Sequence, residues 1–340
     1  MNGIESQNIN TLIPGVSVVL CTYNGAHKLP KSIEGLAEQR VPESIPWEII
    51  FVDNNSTDNS DTIARLAWDN NPRNQKIPFT RLSESRPGKY FALTEALKIA
   101  KYRYFIIVDD DNILHPDYVR IAFELIHRQP HIGAIGSKTE ALFEQPTPTI
   151  PKWLTRNAER YAIGEQGTKG DVTIRKHLWG AGMVSRTDLY LSFYQKYPSF
   201  LVNHSEQNIL VAEDTEYCLR LILRGFRLYY YPELVLQHYV PNDRLSIEYW
   251  RKLNLNIENS FQVIDAYYMA TKAYSNKYTT ALQKLRLKIL TTIRAVVQSG
   301  QKKARQKMLL GILFPTSKHN TPLIKDVNSF VSDPLLPKND

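Results

Sequence analysis

The chain has 340 residues, 43% of them hydrophobic and 22% charged, with a formal net charge of +8. This is ordinary globular composition, long enough for one large domain with an extension or for two domains, and it excludes a low-complexity chain. No apolar run approaches the ~18–20 residues of a membrane-spanning helix, and the two cysteines, Cys21 and Cys218, share no metal-ligand spacing, which argues against a disulfide scaffold or a zinc site.

The start, "MNGIESQNINTLIPG", lacks the basic-then-apolar pattern of a signal peptide, so a reducing, cytoplasmic location is expected. From residue 16 the chain alternates apolar runs with helical patterns. "VSVVL" (16–20) reads as a buried strand and ends in the polar "CTYNG"; Lys28–Gln39 is amphipathic. "WEIIFVD" (47–53) is the second strand, followed by "NNSTDNS" and a helix over Thr57–Asp69. "SRPGKYFALTEAL" (85–97) opens a helix over Tyr90–Lys101, and "YRYFIIVD" (102–109) runs into Asp109, Asp110 and Asp111. A helix over Pro116–Arg128 and a weaker strand, "HIGAIGS" (131–137), follow. Residues 138–178 are irregular. "GAGMVSR" (180–186) and "FRLYYYPELVLQH" (226–238) are strand-like, with the amphipathic helix "AEDTEYCLRLILRG" (212–225) between them. Strands separated by helices of ten or more residues predict parallel βαβ units with helices on both faces, an α/β fold. From Leu245 onward the pattern is helical. The predicted division is a catalytic domain over 1–245, with a nucleotide-side half (about 15–137) and an acceptor half (about 138–245), and a basic helical extension over 246–340.

In such sheets ligands bind beyond the carboxyl ends of the strands, where the polar clusters of this chain fall. At a strand exit, residues i and i+2 point to one side, so Asp109 and Asp111 can converge while Asp110 turns away. Adjacent carboxylates repel unless a cation accompanies them. Hard oxygen ligands suit Mg²⁺ or Mn²⁺ bound together with substrate phosphates; the alternative is a solvated acidic loop ahead of a helix. Thr22, Tyr23 and Asn24 can contact a base or ribose. Asp53 can accept a hydrogen bond from either, while Ser56, Thr57 and Asp58 also serve as helix caps. Arg86 and Lys89 flank a Pro-Gly turn before a helix, a place that favours phosphate. Glu213 and Asp214 at a helix start are either dipole-favoured caps or a general base. His238, at a strand end, is a candidate metal or diphosphate contact.

Taken in order, "VSVVLCTYNG", "FVDNNSTDNS", "RPGKYFAL", "IIVDDDN", "GAGM" and "AEDTEYCLRLILRGFRLYYYPELVLQH" resemble the family 2 nucleotide-sugar glycosyltransferases of the GT-A fold, over roughly residues 15–245. The resemblance implies a Rossmann-like, mostly parallel mixed sheet and an inverting transfer from a nucleoside diphosphate sugar, with UDP the expected nucleotide. It implies Thr22, Tyr23, Asn24, Asp53, Lys89, Asp109 and Asp110 on the donor side. Asp111, Asp109 and His238 would serve a Mn²⁺ or Mg²⁺ ion. Asp214 would be the base, with Glu213 its neighbour. Apart from the resemblance, Trp179, Arg244, Tyr249 and Trp250 are candidate acceptor contacts, since aromatics stack on sugar faces. Thr94 stands where the family often has Asn.

Between Ala266 and Lys325 there are 12 Lys and Arg and no Asp or Glu, so the remainder of the chain sums to −4 (8 minus 12). Residues 278–314 combine this charge with Leu, Ile and Val. They fit a basic helix on an anionic membrane surface, which would place the protein peripherally on the inner face of the plasma membrane near a saccharide or lipid-linked acceptor. A helical pair packed on the core is the alternative; nucleic acid is not expected, for no recognition motif accompanies the charge. Against glycosyl transfer stand a nucleotidyltransferase, for which "CTYNGAHKLP" is a poor phosphate loop, and an inactive membrane-associated scaffold, for which intact acidic sites are unexpected.

Overall fold

The computed structural model describes residues 12–72, 77–145, 150–202, 211–278 and 321–339. Most of the basic stretch 278–314 lies outside them. Among the described residues, nine strands form one sheet in the order β3-β2-β1-β4-β8-β6-β9-β5, with β7 also on β9. Strands β1 (Ile13–Thr22), β2 (Trp47–Asp53), β3 (Phe79–Ser83) and β4 (Tyr102–Asp109) are mutually parallel. The other half is mixed: β8 (Val184–Arg186) is antiparallel to β4 and to β6 (Ile132–Phe143), which runs parallel to β9 (Arg227–Val240). The short strands β5 (Asn112–Leu114) and β7 (Gly170–Asp171) pair antiparallel with β9.

The continuous apolar runs become central strands because both sheet faces are covered. Val16, Val18, Val19 and Leu20 of β1, and Ile49, Ile50, Phe51 and Val52 of β2, are fully buried. Helices α1 (Leu29–Ala37), α2 (Ser60–Asp69), α3 (Lys89–Ile99) and α4 (Tyr118–His127) supply the cover, followed by α5 (Lys152–Arg156), α6 (Thr187–Lys196) and α7 (Glu213–Leu223). The edge strand β3 is half exposed and carries no apolar run, so only its pairing reveals it. Its Phe79 stacks on Trp68 of α2 with ring centroids 5.0 Å apart.

Two compact units emerge: Met1–Ile264 together with Asp333–Asp340, and Asp265–Ser332. Helix α8 (Ile247–Tyr278) begins in the first, and α9 (Thr321–Ser332) lies in the second. The first unit recovers the chain at Asp333, whose carboxylate accepts from Tyr197 (3.0 Å) and pairs with Lys196 (2.6 Å). Arg224 then donates to the carbonyls of Leu336 (2.5 Å) and Pro337 (3.0 Å), and the Asn339 amide donates to the Arg224 carbonyl (2.9 Å). Gly225 is required there: its φ is +87°, and a Cβ would lie 2.1 Å from the Asn339 carbonyl oxygen. No helix among the described residues is long and apolar enough to cross a membrane.

Candidate active site

The parallel register brings the predicted polar ends to one edge of the sheet. Thr22 is level with Asp53, and Cys21 with Asp109. Tyr23 is 60% exposed there. Asn24, in the left-handed region (φ +51°), ties this turn to the next: its side-chain oxygen accepts from the Thr57 amide (2.8 Å) and its own amide donates to Ser56 (3.0 Å). Asp53 accepts from the Ser56 amide (3.1 Å), so it shapes the turn it was expected to use for the donor.

The three acids that leave β4 take three different environments. Asp110 turns inward and is buried beneath α1, where it accepts from Thr22 (2.7 Å) and pairs with Lys28 (2.5 Å). Gly25 admits this approach, since a Cβ there would lie 2.1 Å from an Asp110 carboxylate oxygen. Burial and the neighbouring Asp111 raise the Asp110 pKa; Lys28 and Thr22 oppose the rise. Asp109, expected beside the donor and the metal, pairs with Lys89. Burial alone would discharge Lys89, but Asp109 outweighs it and holds the ammonium above its ordinary range.

Asp111 faces the opposite half of the sheet. The β5–β9 register sets Asn112 level with His238, which lies 3.5 Å from the Asp111 carboxylate. Arg244 is 2.9 Å away and Lys28 3.9 Å. Burial would raise the Asp111 pKa; His238, Arg244 and Lys28 outweigh it and keep this carboxyl well below the usual range. His238 Nδ1 lies 2.9 Å from the Tyr161 carbonyl, an acceptor only, so Nδ1 carries the proton. Nε2 lies 3.2 Å from an Arg244 nitrogen.

The second acidic site opens α7. Ala212 sits at φ +109°, a costly conformation for a residue with a Cβ, and turns the chain so that Glu213 and Asp214 start the helix. Asp214 accepts from the Gly180 amide (3.0 Å) and the Thr215 amide (2.6 Å). Burial, with the charge of Asp214, pushes Glu213 up to about 7. Lys89 joins the two acidic sites: a Cβ built on Gly180 would lie 3.4 Å from its nitrogen and 3.8 Å from an Asp214 oxygen. The ammonium paired with Asp109 therefore borders the space that Asp214 faces.

Of the residues expected near the acceptor, Arg244 is engaged with Asp111 instead, its guanidinium 5.7 Å from the Tyr249 ring centroid. Trp250 stacks on Trp153 (5.1 Å) and Tyr161 (6.2 Å). The Trp179 ring is buried, and its amide donates to Gln166 (2.8 Å). Arg86 is committed to Glu84 (2.6 Å) and Glu95 (2.8 Å) rather than open to phosphate. Thr94 donates back to the Tyr90 carbonyl within α3. Sequence reasoning missed Lys28, which merely opens the amphipathic stretch Lys28–Gln39, and Asn54, whose amide nitrogen donates to the Glu84 and Arg86 carbonyls and whose oxygen accepts from Gly88.

The donor set fits a hard divalent ion in kind, with a carboxylate and an imidazole nitrogen side by side and a guanidinium already standing in as their cation. Asp109, committed to Lys89, does not join them, and no three His, Cys, Asp or Glu side chains among the described residues form a metal cluster.

A model of the family "Glycosyl transferase family 2" matches residues 17–175. The chain is 25% identical over 235 residues to the Methanococcus voltae enzyme named dolichyl N-acetyl-alpha-D-glucosaminyl phosphate 3-beta-D-2,3-diacetamido-2,3-dideoxy-beta-D-glucuronosyltransferase, covering 66% of each. It is 24% identical over 229 residues to the poly-beta-1,6-N-acetyl-D-glucosamine synthase of Staphylococcus aureus (strain COL), covering 67% of this chain and 51% of the synthase. The chain thus spans about half to two thirds of the length of these relatives. Among solved structures, S. aureus TarS 1–349 superposes with a TM-score of 0.51 at 15% identity, over 93% of this chain and 91% of that one, a likeness of fold.

Proposed function

We propose that this chain, which belongs to glycosyl transferase family 2, moves a sugar from a nucleoside diphosphate donor to a hydroxyl of a glycan or lipid-linked saccharide by a single inverting displacement. UDP is the proposed nucleotide. The observation that carries the reading is Lys89, which pairs with Asp109 and borders the space faced by Asp214. In that space the acceptor oxygen attacks the anomeric carbon, the bond to the β-phosphate breaks from the opposite face, and the acceptor proton passes to Asp214. Glu213, its pKa pushed up to about 7, is only partly charged at neutrality and so keeps the pair from carrying two full charges. Lys89 offers its ammonium to the leaving diphosphate, where charge builds during bond breaking. Mn²⁺ or Mg²⁺ held by Asp111 and His238 Nε2 would add Lewis-acid neutralisation of that charge. Tyr23 and Asp53 border the base and ribose, and the Trp250–Tyr161–Trp153 stack offers aromatic surface toward an acceptor sugar. Attachment to an anionic membrane surface through residues 278–314 belongs to the same proposal and is supported by their charge.

The test is donor turnover with UDP-, GDP- and TDP-sugars, with and without Mn²⁺, for the wild type and Asp214→Asn. Loss of the base should lower turnover by about 10²–10⁴-fold. Full activity in D214N would remove Asp214 from its role. A chain that is neither stabilised against heat by any nucleoside diphosphate nor active on any donor would remove the reading altogether.

A further inference from the structure

The pair formed by Asp111 and His238 already grips a cation, and that cation belongs to the chain. One Arg244 nitrogen lies 2.9 Å from the Asp111 carboxylate, and another lies 3.2 Å from His238 Nε2. The Tyr161 carbonyl holds His238 Nδ1 at 2.9 Å, which turns Nε2 toward Asp111 and Arg244. These two atoms are the ones a hard divalent ion would need. A guanidinium and a metal ion cannot share them: the sites are the same, and like charges a few ångströms apart repel.

The backbone of Arg244 is pinned while its side chain is not enclosed. Its amide donates to the Pro241 carbonyl (3.1 Å) and its carbonyl accepts from the Tyr161 hydroxyl (3.0 Å). The side chain keeps 21% of its surface exposed, against 5% for Asp111. The head group can therefore leave Asp111 without unfolding the Asn242–Leu245 turn that carries it.

We propose that Arg244 is the resident counter-cation of the Asp111–His238 seat, that a divalent ion must displace it, and that the displaced guanidinium turns to the diphosphate of the donor. This rests on the donor reading above. The consequence is positive coupling between metal and nucleotide. Metal alone must expel a guanidinium into solvent, whereas metal arriving with a diphosphate gives that guanidinium a new, bidentate anionic partner.

Mn²⁺ binding to the full chain, followed by electron paramagnetic resonance with no sugar donor present, tests this apart from activity. Without nucleotide, Arg244→Gln should bind Mn²⁺ at least about tenfold more tightly than the wild type, a difference of about 1.4 kcal/mol, and Arg244→Lys should lie nearer the wild type. Adding UDP or GDP should strengthen Mn²⁺ binding by a larger factor in the wild type than in R244Q. Equal or weaker Mn²⁺ binding by a folded R244Q overturns the proposal. So does a wild type whose Mn²⁺ affinity ignores both nucleotides, a measurement that needs no variant. If nucleotide still protects the chain against heat in either case, the donor reading survives; if no nucleotide binds at all, both fall.

Discussion

Replacing Lys28 by Met tests whether the inward acid of the triplet is a structural member. The Lys28 nitrogen lies 2.5 Å from Asp110 and 3.9 Å from Asp111, and the three side chains are only 10%, 8% and 5% exposed. Removing one partner of a buried pair costs about 3–5 kcal/mol, because the remaining charge stays desolvated. Asp110 has a way to shed that charge, since burial and Asp111 already raise its pKa. A carboxyl whose folded pKa exceeds its unfolded one contributes stability that is present at low pH and lost as pH rises. The deficit of K28M should therefore be largest at pH 7.5 and should shrink toward pH 5. At roughly 2–4 °C per kcal/mol for a domain of this size, a loss of about 3 kcal/mol lowers Tm by roughly 6–12 °C. Thermal unfolding followed by circular dichroism measures this at both pH values. The K28M/D110N double variant should recover part of the loss, because Asn carries no charge to bury. A K28M protein within about 1 °C of the wild type, or a double variant whose loss equals the sum of the singles, would refute the reasoning.

Glu213 gives a second pH signature: with its pKa at about 7 against an ordinary 4.5, its contribution is complete below about 4.5 and lost as pH rises through about 7. The Tm of Glu213→Gln should change less between pH 4.5 and 8 than that of the wild type; parallel curves would show that Glu213 titrates normally. On the same helix, Arg220 and Glu216 form a pair with both side chains fully buried, 3.0 Å apart, and Arg220 also donates to the carbonyls of Phe193, Tyr197 and Pro198. Arg220→Met should lower the free energy of unfolding by about 3–5 kcal/mol, read from the urea midpoint, and a loss below about 1 kcal/mol would contradict that assignment.

The parallel half of the fold is legible in the sequence because strands buried on both faces are written as unbroken apolar runs, each followed by a helix with its own polar stripe. β3 escapes because an edge strand half open to water needs no such run, and β5 because three residues form no pattern. Candidate acids are legible as positions, at strand exits and a helix start, but their partners are not. Lys28 and Asp110 meet only because α1 packs under the β4 exit, and His238 reaches Asp111 only through the β5–β9 register. Arg244 reads as an acceptor contact when taken as a basic residue among aromatics; its contact with Asp111 follows from the turn at the end of β9, which no local signal encodes.

The segment that rejoins the first unit after residue 332 makes the intervening stretch an insertion tethered at both ends rather than an appendage. A protease that nicks the backbone anywhere between residues 265 and 332 therefore yields two fragments that remain clasped through Arg224, Tyr197 and Lys196. Such a nicked protein should elute from a sizing column at its original volume and separate only under denaturing conditions.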